Sequence, residues 1–217
     1  MHEIAAVLNP RNPDFPIALS GATEGTGFSR FWAIGDVKIL NTPLLGLLCS
    51  VRCPGRVIVQ TYDLARGLRD AGVPVIGGFH SPMEKECLDF LLRGKQPVVV
   101  CPARSITNMR MSSAWRKVCD EGRLLILSPF APKHGRISAL LAERRNRLVS
   151  LLTDQFFVPY AAPGSKTEQL CQDLMSAGKQ VYTFESEKES IISRAGAVPI
   201  TVNRLVSQMT EKLSKPI

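Results

Sequence analysis

Short hydrophobic runs alternate with longer amphipathic segments along most of the chain. Six runs are almost continuously apolar, as expected for strands covered on both faces: 44–50, 73–79, 97–102, 123–130, 155–161 and 180–184. The segments between them, such as 56–72 and 83–94, repeat apolar residues at helical spacing and end in or just before glycine, which is typical of helices. The alternation predicts an α/β fold, a doubly wound and mostly parallel sheet with helices on both faces, Rossmann-like in architecture.

The two ends of the chain depart from this pattern. Residues 1–35 contain several prolines and glycines and little periodicity, so we expect an irregular N-terminal extension. Residues 36–217 are expected to form one Rossmann-like domain, because a chain of 217 residues supports one sizeable core but not two comfortable ones. A last amphipathic helix is predicted over 202–215.

The cysteines and the length of the apolar runs bear on the cellular location. Six cysteines show neither CxxC spacing nor a neighbouring histidine, so we expect reduced core thiols and no metal site. The chain does not open with a basic-then-apolar leader, and no run approaches the roughly 20 residues that cross a bilayer. These features predict a soluble, cytoplasmic protein that does not bind membranes.

The formal net charge of +8 is concentrated in one stretch. Between Arg104 and Ser150 there are 10 basic residues and three acidic ones, a net charge of +7, whereas the rest of the chain is close to neutral. Such a cluster attracts polyanions, although a solvated basic face without a partner has the same composition.

Nearly every predicted strand is followed by a junction rich in Gly, Pro and Ser that leads into a helix. The carboxyl ends of parallel strands share one edge of the sheet, and the free N–H groups of helix starts favour anions there. One of these helix starts carries a predicted capping box, Ser81 with Glu84. Basic side chains and a histidine also fall in the junctions: Arg52, His80, Arg104, Lys133 and Arg136. We therefore predict an anion-binding edge.

The first two junctions supply the first candidate residues. Ser50 and Arg52 follow the first run, and Arg52 is interpreted as a phosphate clamp rather than an ordinary surface arginine. Gly77 and Gly78 would allow close backbone approach. His80 is either a contact to a base or ribose or a hydrogen-bonded loop histidine.

A helix with the sequence ERRNRLVSLL carries three arginines. Its predicted apolar stripe consists of Ile137, Leu141, Leu148 and Leu152. Arg144 falls within this stripe and is predicted to be structural, whereas Arg145 or Arg147 is predicted to reach solvent or a bound anion. Asn146 lies between them. The alternative is a buried ion pair with one of the glutamates at positions 143 and 84.

The turn PGSKTE opens another predicted helix and could bind phosphate. Gly164 allows the backbone to approach a ligand, Ser165 lies in the same turn, and Thr167 offers a hydroxyl. The chain lacks GxxxxGK[ST], GxGxxG, GxSxG and HExxH patterns and paired carboxylates. We therefore expect no cofactor, and a binding protein is favoured over an enzyme.

In their order along the chain, these residues resemble the Rossmann-like core of the DNA-processing protein A (DprA/Smf) family, from about Phe15 to Ala197. The most specific match is RRNRLVSLLTDQFFVPYAAPGSKTEQL, which carries the family's Arg-Asn-Arg helix, the next strand and its Ser-Gly-Ser turn as Pro-Gly-Ser. LLGLLCSVRCPG resembles the segment that ends in a Gly-Ser-Arg motif, with Cys49 in place of glycine and Val51 interposed. The family's Phe-Pro before the arginine helix is replaced by Ala-Glu, and its Gly-Ile-Asp and Ala-His are absent after the second strand.

The resemblance implies that the carboxyl edge of the core holds single-stranded DNA and that the protein helps deliver it to a strand-exchange recombinase. It assigns DNA contacts to Ser50, Arg52, Arg145 and Asn146. The full set of predicted DNA- or phosphate-binding residues is Ser50, Arg52, Gly77, Gly78, His80, Arg145, Asn146, Arg147, Gly164, Ser165 and Thr167. A homo-oligomer is left open.

A competing interpretation is a nucleotide-binding or nucleotide-hydrolysing protein. PGSKTE is similar to the Pro-Gly-Gly-x-Gly-Thr-x-x-Glu turn of lysine decarboxylase-like phosphoribohydrolases. The local excess of basic residues favours DNA, because a mononucleotide needs one or two arginines rather than ten.

Overall fold

The structure is a computed structural model that describes residues 5–23 and 26–214. Within these residues, nine strands form one sheet: β1 (Ala6–Leu8), β2 (Phe31–Gly35), β3 (Leu45–Leu47), β4 (Val75–Gly77), β5 (Val98–Val100), β6 (Leu124–Ser128), β7 (Gln155–Phe157), β8 (Gln180–Phe184) and β9 (Val198–Ile200). Their order in the sheet is β1-β2-β6-β5-β4-β3-β7-β8-β9. Strands β3 to β9 pair in parallel, so the predicted doubly wound, mostly parallel sheet is confirmed.

Helices connect the parallel strands. They are α1 (Gly55–Asp70), α2 (Pro82–Leu91), α3 (Ser113–Asp120), α4 (Ala139–Leu152), α5 (Lys166–Ser176), α6 (Ile191–Arg194) and α7 (Val202–Leu213). Most begin at a serine or threonine whose hydroxyl accepts a first-turn N–H, which satisfies one of the free donors of a helix start. In the described ranges, no helix is long and apolar enough to cross a bilayer.

The two faces of the sheet carry separate cores. On one face, α1, α2, α3 and α7 contribute apolar residues such as Leu64, Leu88 and Leu205 to one buried cluster. On the other, α4 and α5 contribute Leu148 and Cys171 to a second. Each of the six predicted apolar runs contains a strand between these cores, which explains why the runs are continuous rather than alternating.

Strand β3 marks the point where the order of the sheet reverses. From β3 the chain builds β4, β5 and β6 on one side, and then crosses back over the sheet through α4 to place β7, β8 and β9 on the other side. The loops after β3 and β7 therefore leave neighbouring strands in opposite directions and open a crevice at the carboxyl edge. In open α/β sheets such a switch point is where ligands bind.

The prediction of an irregular extension over residues 1–35 is wrong for two segments. β1 pairs with β2, and β2 pairs antiparallel with β6, so both belong to the same sheet. These strands, and β9 at the other edge, have only three to five residues, too few for a periodic signal. Residues 1–4 and 24–25 of the predicted extension, and residues 215–217 of the predicted domain with the end of its last helix, lie outside the described residues.

Candidate functional site

Ser50 ties together the two loops that diverge at the switch point. It is 3% exposed, and its N–H donates to the carbonyl oxygen of Tyr160 at 3.0 Å. Its hydroxyl accepts from the N–H of Ala162 at 2.9 Å and lies 3.3 Å from the hydroxyl of Ser165. Ser50 thus fixes the β3 loop against the turn that starts α5.

That turn is held in one conformation by its own residues. Gly164 has a φ of +71°, in the left-handed region that favours glycine, and its N–H donates to Glu168 Oε2 at 2.6 Å. The hydroxyl of Ser165 accepts from the N–H of Glu168 at 3.2 Å. Among the described residues, the first-turn N–H groups of Lys166 and Thr167 have no acceptor, so they remain available to an anion.

A buried carboxylate shapes the loops after β3 and β4. Glu84 is 6% exposed, and its Oε1 accepts from the N–H of Cys49 at 2.9 Å. Its Oε2 accepts from the N–H groups of His80 at 2.7 Å and Ser81 at 3.2 Å. The predicted capping box of Ser81 and Glu84 is therefore confirmed, and the same carboxylate also anchors the neighbouring loop.

The β4 loop contains a strained residue. Phe79 has a φ of +45° although it is a buried aromatic residue, and such backbone is costly outside glycine. Gly77 is packed below it, because an added Cβ would meet Leu47 and the Phe79 ring. This conformation brings the backbone of His80 onto Glu84 and leaves the His80 side chain exposed at the edge.

Arg145 is a buried arginine that reaches from α4 under the carboxyl edge. It is 6% exposed; its Nη1 donates to the carbonyl oxygen of Cys101 at 3.1 Å and its Nε to Oδ1 of Asn146 at 2.7 Å. A Cβ at Gly78 would overlap the guanidinium, so this glycine makes room for it. Burial lowers the pKa of Arg145, and the charge of Glu84 opposes that shift.

The predicted stripe of the arginine helix is wrong by one position. Helix α4 begins at Ala139, so Ile137 precedes it and is 49% exposed, and the buried row instead contains Arg145. The prediction that Arg144 is the arginine of the buried row is therefore wrong, because Arg145 takes that place; Arg144 is half-buried, with its guanidinium 5.6 Å from the ring centre of Phe28. Arg147 is exposed, as the prediction allowed.

Among the described residues, the arginines of α4 do not form the alternative, a buried ion pair with Glu143 or Glu84. Glu143 pairs with Lys166 at 2.9 Å instead. Within the described ranges, Arg145 lies within ion-pair distance of neither Glu143 nor Glu84.

These elements enclose a small cavity, which we name the switch-point pocket, of about 120 Å³. Its walls are Leu48, Cys49, Val51, His80, Ser81, Glu84, Arg145, Asn146, Lys166, Thr167 and Leu170. Arg145 Nη2 has no acceptor among the described residues, whereas backbone N–H groups already occupy both oxygens of Glu84. The pocket therefore offers spare donors on buried and helix-start groups, which suits an anionic ligand.

The predicted site residues meet at this pocket to different degrees. Four of them line it: His80, Arg145, Asn146 and Thr167. Four others support its walls: Ser50, Gly78, Gly164 and Ser165. Arg52 is exposed on the β3 loop, Gly77 is buried in packing, and Arg147 lies one helix position beyond the pocket.

Several residues of the switch-point pocket are not among those predicted from the sequence. Lys166 is one of them, and its place as the first residue of α5, directly after the predicted phosphate turn, is the sequence signal that points to it. Leu48, Val51 and Leu170 carry no chemical signal in the sequence, and only the fold brings them together.

Only part of the basic cluster between positions 104 and 150 lies at the same edge as the pocket. Arg104, Lys133 and Arg136 are exposed in loops at the carboxyl edge. Lys117 lies on α3, on the opposite face from α4, and Arg123 precedes β6 at the other edge and pairs with Glu121. In the part of the chain that the structure describes, no group of three histidine, cysteine or acidic side chains could hold a metal ion.

The family model of DNA recombination-mediator protein A matches residues 6–213, nearly the whole chain. The chain belongs to this family. The resemblance identified from the arginine helix and the Pro-Gly-Ser turn is thereby confirmed, and with it a role in DNA processing and recombination. No curated protein sequence matches the chain at a significant level.

Solved structures share the fold at low sequence identity. DNA processing protein A from Streptococcus pneumoniae superimposes with a TM-score of 0.74 at 15% identity, covering 94% of this chain and 74% of that one. DNA processing protein A from Helicobacter pylori, whose structure was described for its single-stranded DNA binding mode, gives 0.73 at 17%, covering 98% and 100%. The molybdenum cofactor carrier protein of Chlamydomonas reinhardtii gives 0.52 at 14%, covering 80% and 99%.

Proposed function

We propose that this protein binds single-stranded DNA at the carboxyl edge around the switch-point pocket, largely without sequence preference. The observation that carries the proposal is the buried Arg145, which lines the same pocket as Lys166 and Thr167, whose N–H groups at the start of α5 have no acceptor among the described residues. The Nη2 of Arg145 also has no acceptor among the described residues, and a guanidinium held in place by its other two nitrogens is suited to a phosphate oxygen. Membership of a recombination-mediator family supports DNA as the source of that phosphate.

The surroundings of the pocket favour a strand over a mononucleotide. Arg52, Arg104, Lys133 and Arg136 are exposed on loops of the same edge, where they could contact successive phosphates. Among the described residues, no Phe, Tyr or Trp lines the pocket, and His80 is its one ring. Phosphate contacts are therefore expected to dominate over base stacking, which gives binding with little sequence preference.

The carboxylates near the pocket support binding rather than hydrolysis. Glu84 accepts three backbone N–H groups, and Glu168 accepts from Gly164 and from the side chain of Gln172. Both are committed to holding the loops, whereas a general base needs a carboxylate within reach of the substrate proton.

We also propose that the DNA-bound protein passes its strand to a strand-exchange recombinase, as a recombination mediator would. Light scattering with and without DNA would test whether the protein forms the homo-oligomer that the sequence leaves open.

The test is a titration of labelled oligothymidine with mononucleotide as competitor, over a range of salt concentrations. If about four phosphates are neutralised, log affinity should fall with log salt at a slope near −3, from roughly 0.7 per contact. Arg52→Ala should reduce that slope by about 0.7 and weaken binding by about 1–2 kcal/mol, whereas Lys117→Ala on the opposite face should change neither. Micromolar mononucleotide binding with no oligonucleotide binding at low salt would replace this proposal with the nucleotide-binding alternative.

A further inference from the structure

A second, larger cavity adjoins the switch-point pocket. It is a groove of about 620 Å³ between α4 and α5, which we name the α4–α5 groove. Asn146, Lys166 and Leu170 line both the pocket and the groove. The pocket and the groove are therefore neighbours, separated by no more than these three side chains.

The lining of the groove combines aliphatic and amide groups. Ala142, Leu170 and Leu174 contribute apolar surface, and Asn146 and Gln169 contribute side-chain amides. A nucleobase has apolar faces and polar edges, so its faces suit the aliphatic surface and its edges suit the amides.

The charged side chains of the groove balance, two cations (Arg147 and Lys166) against two carboxylates (Glu143 and Asp173), but they differ in their partners. Glu143 is paired with Lys166 at 2.9 Å, and Asp173 accepts from the amide of Gln169 at 2.9 Å. Arg147 is exposed and lines the groove, and its guanidinium has no ion pair within the described ranges. An anionic backbone therefore meets an unpaired guanidinium along this wall.

The groove is also long enough for several nucleotides. It follows α4 from Ala139 to Ser150 and α5 from Lys166 to Ala177. Eleven helical steps of 1.5 Å give a length of about 16 Å, which is about five nucleotides at the spacing of roughly 3.4 Å within a stacked strand.

We propose that the α4–α5 groove is a second DNA subsite, which takes the continuation of the strand whose phosphate occupies the switch-point pocket. This inference rests on the proposed function. Lys166 lines both cavities and pairs with Glu143 of the groove, with side chains 75% and 61% exposed, so a strand that continues into the groove would separate the pair and free Lys166 for a phosphate.

The test compares a tetranucleotide and a dodecanucleotide of deoxythymidine at low salt. Gln169→Trp fills the groove from an exposed position, and Ser176→Trp places the same side chain on α5 outside the groove. We expect Gln169→Trp to weaken dodecanucleotide binding about tenfold, the scale of one lost base contact, and to leave tetranucleotide binding unchanged. Ser176→Trp should bind both oligonucleotides as the native protein does.

A charge variant provides an independent readout. Arg147→Gln should reduce the salt slope for the dodecanucleotide by about 0.7 and leave that of the tetranucleotide unchanged, with Lys117→Gln on the opposite face as the control. Native binding of the dodecanucleotide by Gln169→Trp, or equal losses for both lengths, would overturn the second subsite and leave the proposed function intact. If the native protein binds neither oligonucleotide, the proposed function fails and this inference with it.

Discussion

Gly78→Ala is a steric probe of the buried arginine that leaves every charge in place. The backbone of Gly78 is not in the left-handed region, so alanine is tolerated there by the main chain, but its Cβ would overlap the Arg145 guanidinium. The arginine must therefore move, and it loses its bond to the buried carbonyl oxygen of Cys101. Asn146 is only half-buried, so water can replace the arginine there.

The expected decrease in the free energy of unfolding follows from the two hydrogen bonds of Arg145, to Cys101 and to Asn146. A hydrogen bond from a charged donor contributes about 1.5–3 kcal/mol, and the Cys101 bond is the one that water cannot replace, so we expect a loss of about 2–3 kcal/mol. For a chain of this size, that corresponds to a decrease in Tm of about 4–12 °C. Under the proposed function, displacement of Nη2 should also weaken oligonucleotide binding about tenfold, the equivalent of one hydrogen bond.

Thermal unfolding followed by circular dichroism, together with the oligonucleotide titration, measures both effects. Gly55→Ala is the matched control, because a Cβ there meets nothing within 4 Å and Gly55 is the first residue of α1. It should be neutral or slightly stabilising. If Gly78→Ala melts and binds as the native protein does, the assignment of Arg145 to both the fold and the site is refuted.

Two further predictions concern buried ionisable groups. Glu84→Gln leaves at least one of three backbone N–H groups without an acceptor, so urea denaturation should show a loss of about 1–3 kcal/mol; a loss below about 0.5 would contradict the anchoring role. Burial raises the pKa of the Cys171 thiol from 9.0 to about 12. The neutral thiol therefore makes its full contribution to the free energy of unfolding below pH 9, and this contribution is lost as the pH rises towards 12. Above pH 9, the free energy of unfolding should decrease less steeply with pH for Cys171→Ala than for the native protein. The two slopes should differ by about 1.4 kcal/mol per pH unit, and equal slopes would contradict this prediction.

The sequence predicted the parallel core and the position of the site for the same reason. Apolar runs mark buried strands, and the glycine- and serine-rich junctions after them mark the carboxyl edge of the sheet. Ser50 and Gly164 were expected at this edge, and the structure brings Ser50 into contact with Ser165 there. The rotation of α4 could not be predicted, because Arg145 is accommodated by Gly78 and Cys101, which come from two other loops. A helical wheel contains no information about such distant partners.

The pairing of β3 with β7 also has a kinetic consequence. Leu45 lies opposite Gln155, and the hydrogen bond from Ser50 to Tyr160 closes a similar stretch of chain, so the pocket joins segments more than a hundred positions apart. Closing so long a loop is entropically costly and slow, and the β4 to β6 strands can form without it. We expect the pocket to be among the last parts of the molecule to assemble, so that a ligand held there would stabilise only the completed sheet and slow its opening.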